Sequence, residues 1–384
     1  MLAQRIKELS TYPFVELDRK IEEKRRDGED IIDLGVGDPD LPTPEHIVEV
    51  CCKAAKEPEN QRYPSYEGIV EFRGAVASRY ERDFGVKVDP GEGVIALLGT
   101  KEGIHNINFA FADRGDVVLH PEPGYPVYRT GAIFAGAKAH AMPLLKENSF
   151  IPDFDAIPRD VVGRSRIMWI NYPNNPTTSV ANESFYREAV DFAMDNDLVL
   201  CSDEAYSMMA YDDYRPVSLL QTKGADEVCV VFDSLSKTYN MAGWRVGYAV
   251  GCSDLIGALK KVKTNVDSGV SQIIQWAAIA ALTSSQECVR DNLAVYEERR
   301  DIFVDGLNKL GLKCDKPKAT FYVWLGVPEG HSSASFASLM LDKAGVVCTP
   351  GASFGGHGEG YVRFALTQPT ERISQALVRM ETIC

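Results

Sequence analysis

The sequence predicts an α/β fold: a large domain with a mixed, mostly parallel sheet covered by helices, joined to a smaller α+β domain. Three observations carry this. Short apolar runs recur from about residue 90, with helix-compatible stretches between most of them. These runs are continuously apolar rather than alternating, as strands buried on both faces are. Towards the C-terminus the order changes to two strand-like runs, one helix between them and one after. The expected boundaries are 46–285 for the large domain, and 1–45 with 286–384 for the small one.

The first forty residues hold an amphipathic stretch at 14–26 and a glycine-rich segment, Leu34-Gly35-Val36-Gly37-Asp38-Pro39. At Thr43-Pro44-Glu45 a helix start is expected. The threonine hydroxyl is suited to cap it, and proline at the first helical position loses no hydrogen bond. The expected large-domain strands are 94–98, 117–119, 167–170, 198–201, 228–232 and 248–250. Helices are expected at 101–111 and 183–196, and a long one at 288–310. The small domain takes strands 320–325 and 361–365, with helices near 335–344 and 371–383.

Composition narrows the function classes. Lys and Arg number 41 against 55 Asp and Glu, a formal net charge of −14. Nucleic acids and anionic membranes attract positive fields, so neither is an expected partner. No stretch approaches the ~18 apolar residues of a membrane span. The opening MLAQRIKELSTYPF has no apolar core of a secretory leader. The nine cysteines include no C-x-x-C, so neither a zinc site nor a disulfide framework is expected. They read as small buried hydrophobes in a reducing cytoplasm.

Open sheets of this kind bind ligands beyond the carboxyl ends of their strands. The chemistry-bearing residues fall there. Gly99-Thr100-Lys101-Glu102-Gly103 joins a strand to a helix, whose first N–H groups can take a phosphate. It is also a plain strand-to-helix connection. Asn171-Tyr172-Pro173-Asn174-Asn175-Pro176-Thr177 follows the 167–170 run and serves as a turn, as an aimed amide at Asn175, or as both. Asp203 closes another strand, where a carboxylate caps a helix, binds a metal or faces a cation, and Tyr206 lies three residues on. Tyr125 suits a core aromatic or a flat wall for an aromatic ligand. In "SLSKTYNMAGWRVG" Lys237 sits among Ser234, Ser236 and Tyr239, with Arg245 eight residues later. Arg363 interrupts an apolar run. There it is either a salt-bridge member or a fork for a carboxylate.

Taken together, in this order and spacing, these residues resemble the fold-type I pyridoxal-phosphate aminotransferases, the class I/II group. The resemblance covers nearly the whole chain. The segments 33–40, "YPSYEG" at 63–68, "LSKTYNMAGWR" at 235–245 and "KVKTNVDSGV" at 261–270 are similar to the LL-diaminopimelate aminotransferases. That family moves an amino group between LL-2,6-diaminopimelate and 2-oxoglutarate in lysine biosynthesis. An aspartate, alanine or aromatic aminotransferase, or a pyridoxal-phosphate C–S lyase, stays open beside it.

The resemblance implies roles. Lys237 binds the aldehyde of pyridoxal 5′-phosphate covalently and moves a proton. Asp203 pairs with the ring nitrogen. Asn175 and Tyr206 bond the ring oxygen, and Tyr125 stacks on the ring. Ser234, Ser236, Arg245 and the backbone of Thr100 and Lys101 take the phosphate. Tyr63 reaches a phosphate across a homodimer interface, and Arg363 clamps the substrate carboxylate beside Gly37. No metal is implied, and the expected location is cytoplasmic. Two departures stand out. Thr178 occupies a usual glycine position, where a β conformation is expected. Tyr66 stands where an acidic residue reads the distal end of the substrate, with Glu67, Lys101, Ser268 and Ser271 as other candidates for that task.

Overall fold

The computed structural model describes residues 2–9 and 15–383. A two-residue strand, β1 (Ile32–Asp33), precedes the large sheet. The large sheet is built from β2 (Val94–Leu97), β3 (Val117–Glu122), β4 (Lys138–Pro143), β5 (Ser165–Asn171), β6 (Val199–Asp203), β7 (Cys229–Ser234) and β8 (Gly247–Gly251). Its spatial order is β2-β8-β7-β6-β5-β3-β4. All neighbours pair parallel except β8, which runs antiparallel to both β2 and β7. Parallel pairing needs a crossover of a dozen or more residues, usually a helix. Between β7 and β8 the chain makes only the one-turn helix Leu235–Thr238 and the turn Ala242–Trp244, so it comes straight back.

Successive residues of each strand face opposite sides, and both sides are covered. Met168 and Ile170 belong to one core cluster, with Val231 and Leu200. Ile167 and Trp169 belong to another, with Val230 and Phe232. This explains the unbroken apolar runs.

The remaining strands are β9 (Tyr322–Gly326), β10 (Val346–Val347), β11 (Thr349–Pro350) and β12 (Tyr361–Ala365). They make a three-stranded antiparallel sheet, β11-β12-β9, and a short parallel pair, β1-β10. Ile32 and Leu34 share a core with Phe303, Val323, Phe364 and Ile373, so the N-terminal segment packs with the C-terminal part.

Several expectations are corrected. Thr43 does not cap a helix. The helix Glu45–Ala54 starts after Pro44 with no side-chain cap. The Thr43 hydroxyl instead donates to the Asn240 carbonyl at 2.7 Å and accepts from the Trp244 indole at 3.0 Å. Strand β4 has no counterpart in the sequence reading. The helix expected near 335–344 runs as Ser333–Leu339 and then widens into a π turn at Met340–Ala344. Thr178 has φ +62°, so it is left-handed rather than β, as glycine there would be. The cysteines are not uniformly buried: Cys201, Cys229 and Cys348 are, whereas Cys52 is exposed. Phe14 and Cys384 lie outside the described residues. The stretch after Phe14 is helical over Val15–Arg26.

One buried ion pair anchors the end of β7. Arg79, from the helix Val70–Phe84, donates to Asp233 Oδ2 at 2.8 Å. Tyr248 donates to the same oxygen at 3.1 Å. Both members of the pair are essentially inaccessible to water. Removing one partner leaves the other charge buried alone. Arg79→Met is therefore expected to destabilise the protein by about 3–5 kcal/mol. Urea unfolding measures this, and a loss under ~1 kcal/mol would contradict the analysis.

Candidate active site

Strands β5, β6 and β7 end side by side, at Asn171, Asp203 and Ser234, and the main cavity opens beyond them. It measures about 460 Å³. The residues expected to hold the cofactor and the substrate's α-carboxylate line it except Tyr63, which is 88% exposed elsewhere on the surface.

Asp203 is buried at the floor. Tyr128 donates to its Oδ2 at 2.8 Å, and the Ala205 N–H reaches Oδ1 at 3.3 Å. Burial raises its pKa to about 6, against the opposing pull of Tyr128 and Ala205. An unpaired carboxylate here is thus poised to gain from a nearby cation. Tyr128 stacks on Trp169 at 5.1 Å and meets Tyr125 edge-on at 6.0 Å, so aromatic surfaces hold it in place.

Lys237 lies on the one-turn helix after β7. Its Nζ donates to the Gly37 carbonyl at 2.9 Å, which points the amine across the cavity. Ser234 caps that turn, its Oγ accepting from the Ser236 N–H at 3.1 Å. The cap uses the serine as acceptor and leaves its proton free to donate.

Arg245 and Gly99 form a second feature. Gly99 has φ +78°, and a Cβ there would strike the Arg245 guanidinium. Glycine therefore lets the guanidinium lie against the start of the helix Thr100–Phe111. Arg245 donates to the Ala242 carbonyl at 2.8 Å. Among the described residues no carboxylate pairs with it. A free guanidinium, two serine hydroxyls and helix N–H groups at one spot suit a phosphate.

Arg363, on β12, enters from the other side. Its Nη1 donates to Asn175 Oδ1 at 2.7 Å and its Nη2 to the Gly35 carbonyl at 2.8 Å. Tyr322 and Phe354 sandwich it, with ring centroids 4.2 and 4.7 Å from its central carbon. Its Nε is buried with no partner among the described residues. A buried guanidinium with an unused donor and no carboxylate is an anion site waiting for its anion.

The family model for aminotransferase class I and II matches residues 29–380. The chain belongs to that family. It is 51% identical to the LL-diaminopimelate aminotransferase of Moorella thermoacetica over 99% of this chain and 98% of that one. The LL-diaminopimelate aminotransferase of Aquifex aeolicus gives the same identity and coverage. Among solved structures, substrate-bound BacF from Bacillus subtilis superposes with a TM-score of 0.96 at 35% identity, covering 100% of this chain and 98% of that one. A single mutant of Thermus thermophilus aspartate aminotransferase gives 0.93 at 31% identity, covering both chains in full.

Class I and II aminotransferases work with pyridoxal 5′-phosphate. The residues present fit that cofactor. The Gly99–Arg245 cradle matches its phosphate, buried Asp203 its ring nitrogen, and the Lys237 amine its aldehyde.

Other residues stand apart from the sequence reading. Glu67 does not line the cavity. Its carboxylate pairs with Lys260 at 3.2 Å and Arg73 at 3.9 Å. Tyr66, Ser268 and Ser271 also lie outside the lining, so Lys101 is the one distal-end candidate that this chain itself presents there. Sequence reading also missed a buried triad. Lys263 is fully buried and donates to Glu102 at 3.1 Å and to Asp267 at 2.8 Å. Glu102 in turn accepts from the Leu98 N–H at 3.0 Å, which steadies the turn leading into Thr100. A lysine within an ordinary amphipathic helix carries no signal of this. Tyr128 and Tyr322 were missed for a similar reason.

Asp203 makes the fold less stable when charged. Its folded pKa is about 6, against ~3.9 for an unfolded aspartate. The native state therefore holds the extra proton between those values, and stability falls as pH rises through that window. In cofactor-free protein, Asp203→Asn is expected to raise stability by roughly 1.5–3 kcal/mol above pH ~6.5, the gain vanishing near pH 4. Urea unfolding at pH 8 and pH 4.5 checks this. A larger gain at the acidic pH would refute the burial argument.

Proposed function

We infer that the chain is an LL-diaminopimelate aminotransferase, exchanging an amino group between LL-2,6-diaminopimelate and 2-oxoglutarate to give tetrahydrodipicolinate and glutamate. One observation carries this: eight full-length relatives at 46–51% identity share that name. The solved structures cited above stand lower, at 31% and 35%, and one of them is named an aspartate aminotransferase, so fold alone does not select the substrate.

Bound pyridoxal 5′-phosphate supplies an aldehyde for the amino group and an electron sink for the substrate carbon. The protein supplies aim and charge. We propose that Lys237 Nζ would hold the cofactor at its aldehyde carbon and would serve as the base that takes the proton from the substrate Cα. The Asp203 carboxylate faces the ring nitrogen and favours its protonated form. Asn175 gives Oδ1 to Arg363, which leaves its amide N–H groups for the ring oxygen, alongside the Tyr206 hydroxyl. Tyr125 covers one ring face. Ser234, Ser236, Arg245 and the N–H groups of Thr100 and Lys101 hold the phosphate. Arg363 takes the α-carboxylate, with Gly37 leaving room beside it.

The active unit is proposed as a homodimer. Tyr63 stands 88% exposed and outside its own cavity, as a residue serving a partner's phosphate would. The exposed Val70 and Val266 suit a buried subunit contact. The domain division at 46–285, against 1–45 with 286–384, is retained on the shared core of Ile32 and Leu34 with the C-terminal part. Among the described residues no helix is long and apolar enough to cross a membrane. A cytoplasmic location is proposed, in keeping with a biosynthetic role.

The test is a donor panel with 2-oxoglutarate as acceptor. LL-diaminopimelate is expected to exceed aspartate, alanine and aromatic amino acids in kcat/KM by at least tenfold. Comparable turnover of any of them would remove the substrate assignment. Lys237→Ala is expected to lower transamination by roughly 10²–10⁴-fold or more. In the parent protein, borohydride should fix the cofactor to the peptide carrying Lys237, and mass spectrometry reads the label.

A further inference from the structure

Tyr322, on β9, has no part in the roles above, yet it touches three groups that do. It is 2% exposed. Its hydroxyl lies 2.9 Å from that of Tyr206. Its ring lies under the Arg363 guanidinium at 4.2 Å. A Cβ at Gly37 would collide with its hydroxyl, so glycine at that position makes room for this phenol. The carbonyl of Gly37 is the acceptor on which the Lys237 amine rests, at 2.9 Å.

The contact of the phenol pair uses a single proton, and either hydroxyl can be its donor. Burial, then the neighbouring Tyr322, holds the Tyr206 hydroxyl well above the usual phenol range, so it keeps its proton. Two hydroxyls carry two protons, and their contact uses one. Among the described residues, Tyr206 is the hydrogen-bond partner given to the Tyr322 hydroxyl. With Tyr322 as the donor, the Tyr206 proton is left free for the cavity. A hydroxyl that accepts one hydrogen bond becomes a better donor of the next.

We propose that Tyr322 is a positioning residue with two separable parts: its hydroxyl donates to Tyr206 and so directs the Tyr206 proton to the cofactor's ring oxygen, while its ring seats Arg363 for the substrate carboxylate. This rests on the functional reading above. The two parts predict different kinetic signatures. The hydroxyl bears on the ionisation of the ring oxygen, and hence on chemistry. The ring bears on carboxylate binding.

The experiment uses holoenzyme reconstituted with pyridoxal 5′-phosphate, as wild type, Tyr322→Phe, Tyr322→Leu, Tyr206→Phe and the Tyr206→Phe/Tyr322→Phe double variant. The first readout is the pH midpoint at which the visible band changes. Tyr322→Phe should raise that midpoint by about half to one pH unit, because the ring-oxygen anion loses part of its support. It should lower kcat by roughly 3–10-fold with KM within twofold. Tyr322→Leu should add a KM increase of roughly 3–20-fold for LL-diaminopimelate, from loss of the aromatic seat. In the Tyr206→Phe background, Tyr322→Phe should move the midpoint no further, since its effect passes through Tyr206. An unchanged midpoint in Tyr322→Phe, or full additivity in the double variant, overturns the proposal while leaving the functional reading intact. A wild type that takes up no cofactor and shows no visible band defeats the functional reading, and the proposal with it. Tyr322→Phe keeps the ring and its packing, so the hydroxyl is tested even if Tyr322→Leu fails to fold.

Discussion

The site depends on three neighbouring parallel strands ending at one rim of the sheet. Asn171 of β5 is the register partner of Asp203 of β6, and Asp203 in turn is the partner of Phe232 of β7. Asn171 reinforces the pairing by donating from its side chain to the Asp203 carbonyl at 2.7 Å. Because the strands are parallel, each delivers its next residues to one rim. The amide at 175, the carboxylate at 203 and the amine at 237 therefore face one another without any long loop to hold them. A one-residue slip would turn Asp203 to the opposite face of the sheet.

That shared rim needs buried charge near it, and the fold manages this by pairing. Asp233, one residue before Ser234, is neutralised by Arg79. Glu102, in the first turn of the helix Thr100–Phe111, is neutralised by Lys263. Asp203, Arg245 and Arg363 are treated differently. No oppositely charged side chain among the described residues pairs with them. All three line the cavity. Asp203 and Arg363 are buried and Arg245 is exposed, and a ligand in the cavity could supply the charge each lacks.

Much of this was legible in the sequence, for identifiable reasons. The strands β2, β3, β5, β6, β7 and β8 are covered on both faces, so they read as apolar runs. Strand β4 is an edge strand, KAHAMP, with Lys138 exposed and three half-buried neighbours, and it left no such trace. Lys237, Asp203 and Asn175 were readable because each lies just after a strand, in a short characteristic stretch. Tyr128 and Tyr322 sit in ordinary helical and strand sequence. Their importance comes from what lies across the cavity, which no local pattern records. Thr178 was misjudged because its left-handed backbone is imposed by the turn, its N–H returning to the Asn174 carbonyl at 3.0 Å, against the preference of the residue itself.

Arg363 joins three stretches of chain far apart in sequence: its own strand β12, the loop after β5 through Asn175, and the N-terminal segment through Gly35. Those bonds exist before any amino acid arrives. A carboxylate arriving there would meet a fork whose orientation is already settled, and little of its binding energy would be consumed in assembling the receptor. The same side chain also fastens distant parts of the polypeptide to each other, so recognition and cohesion would share one guanidinium.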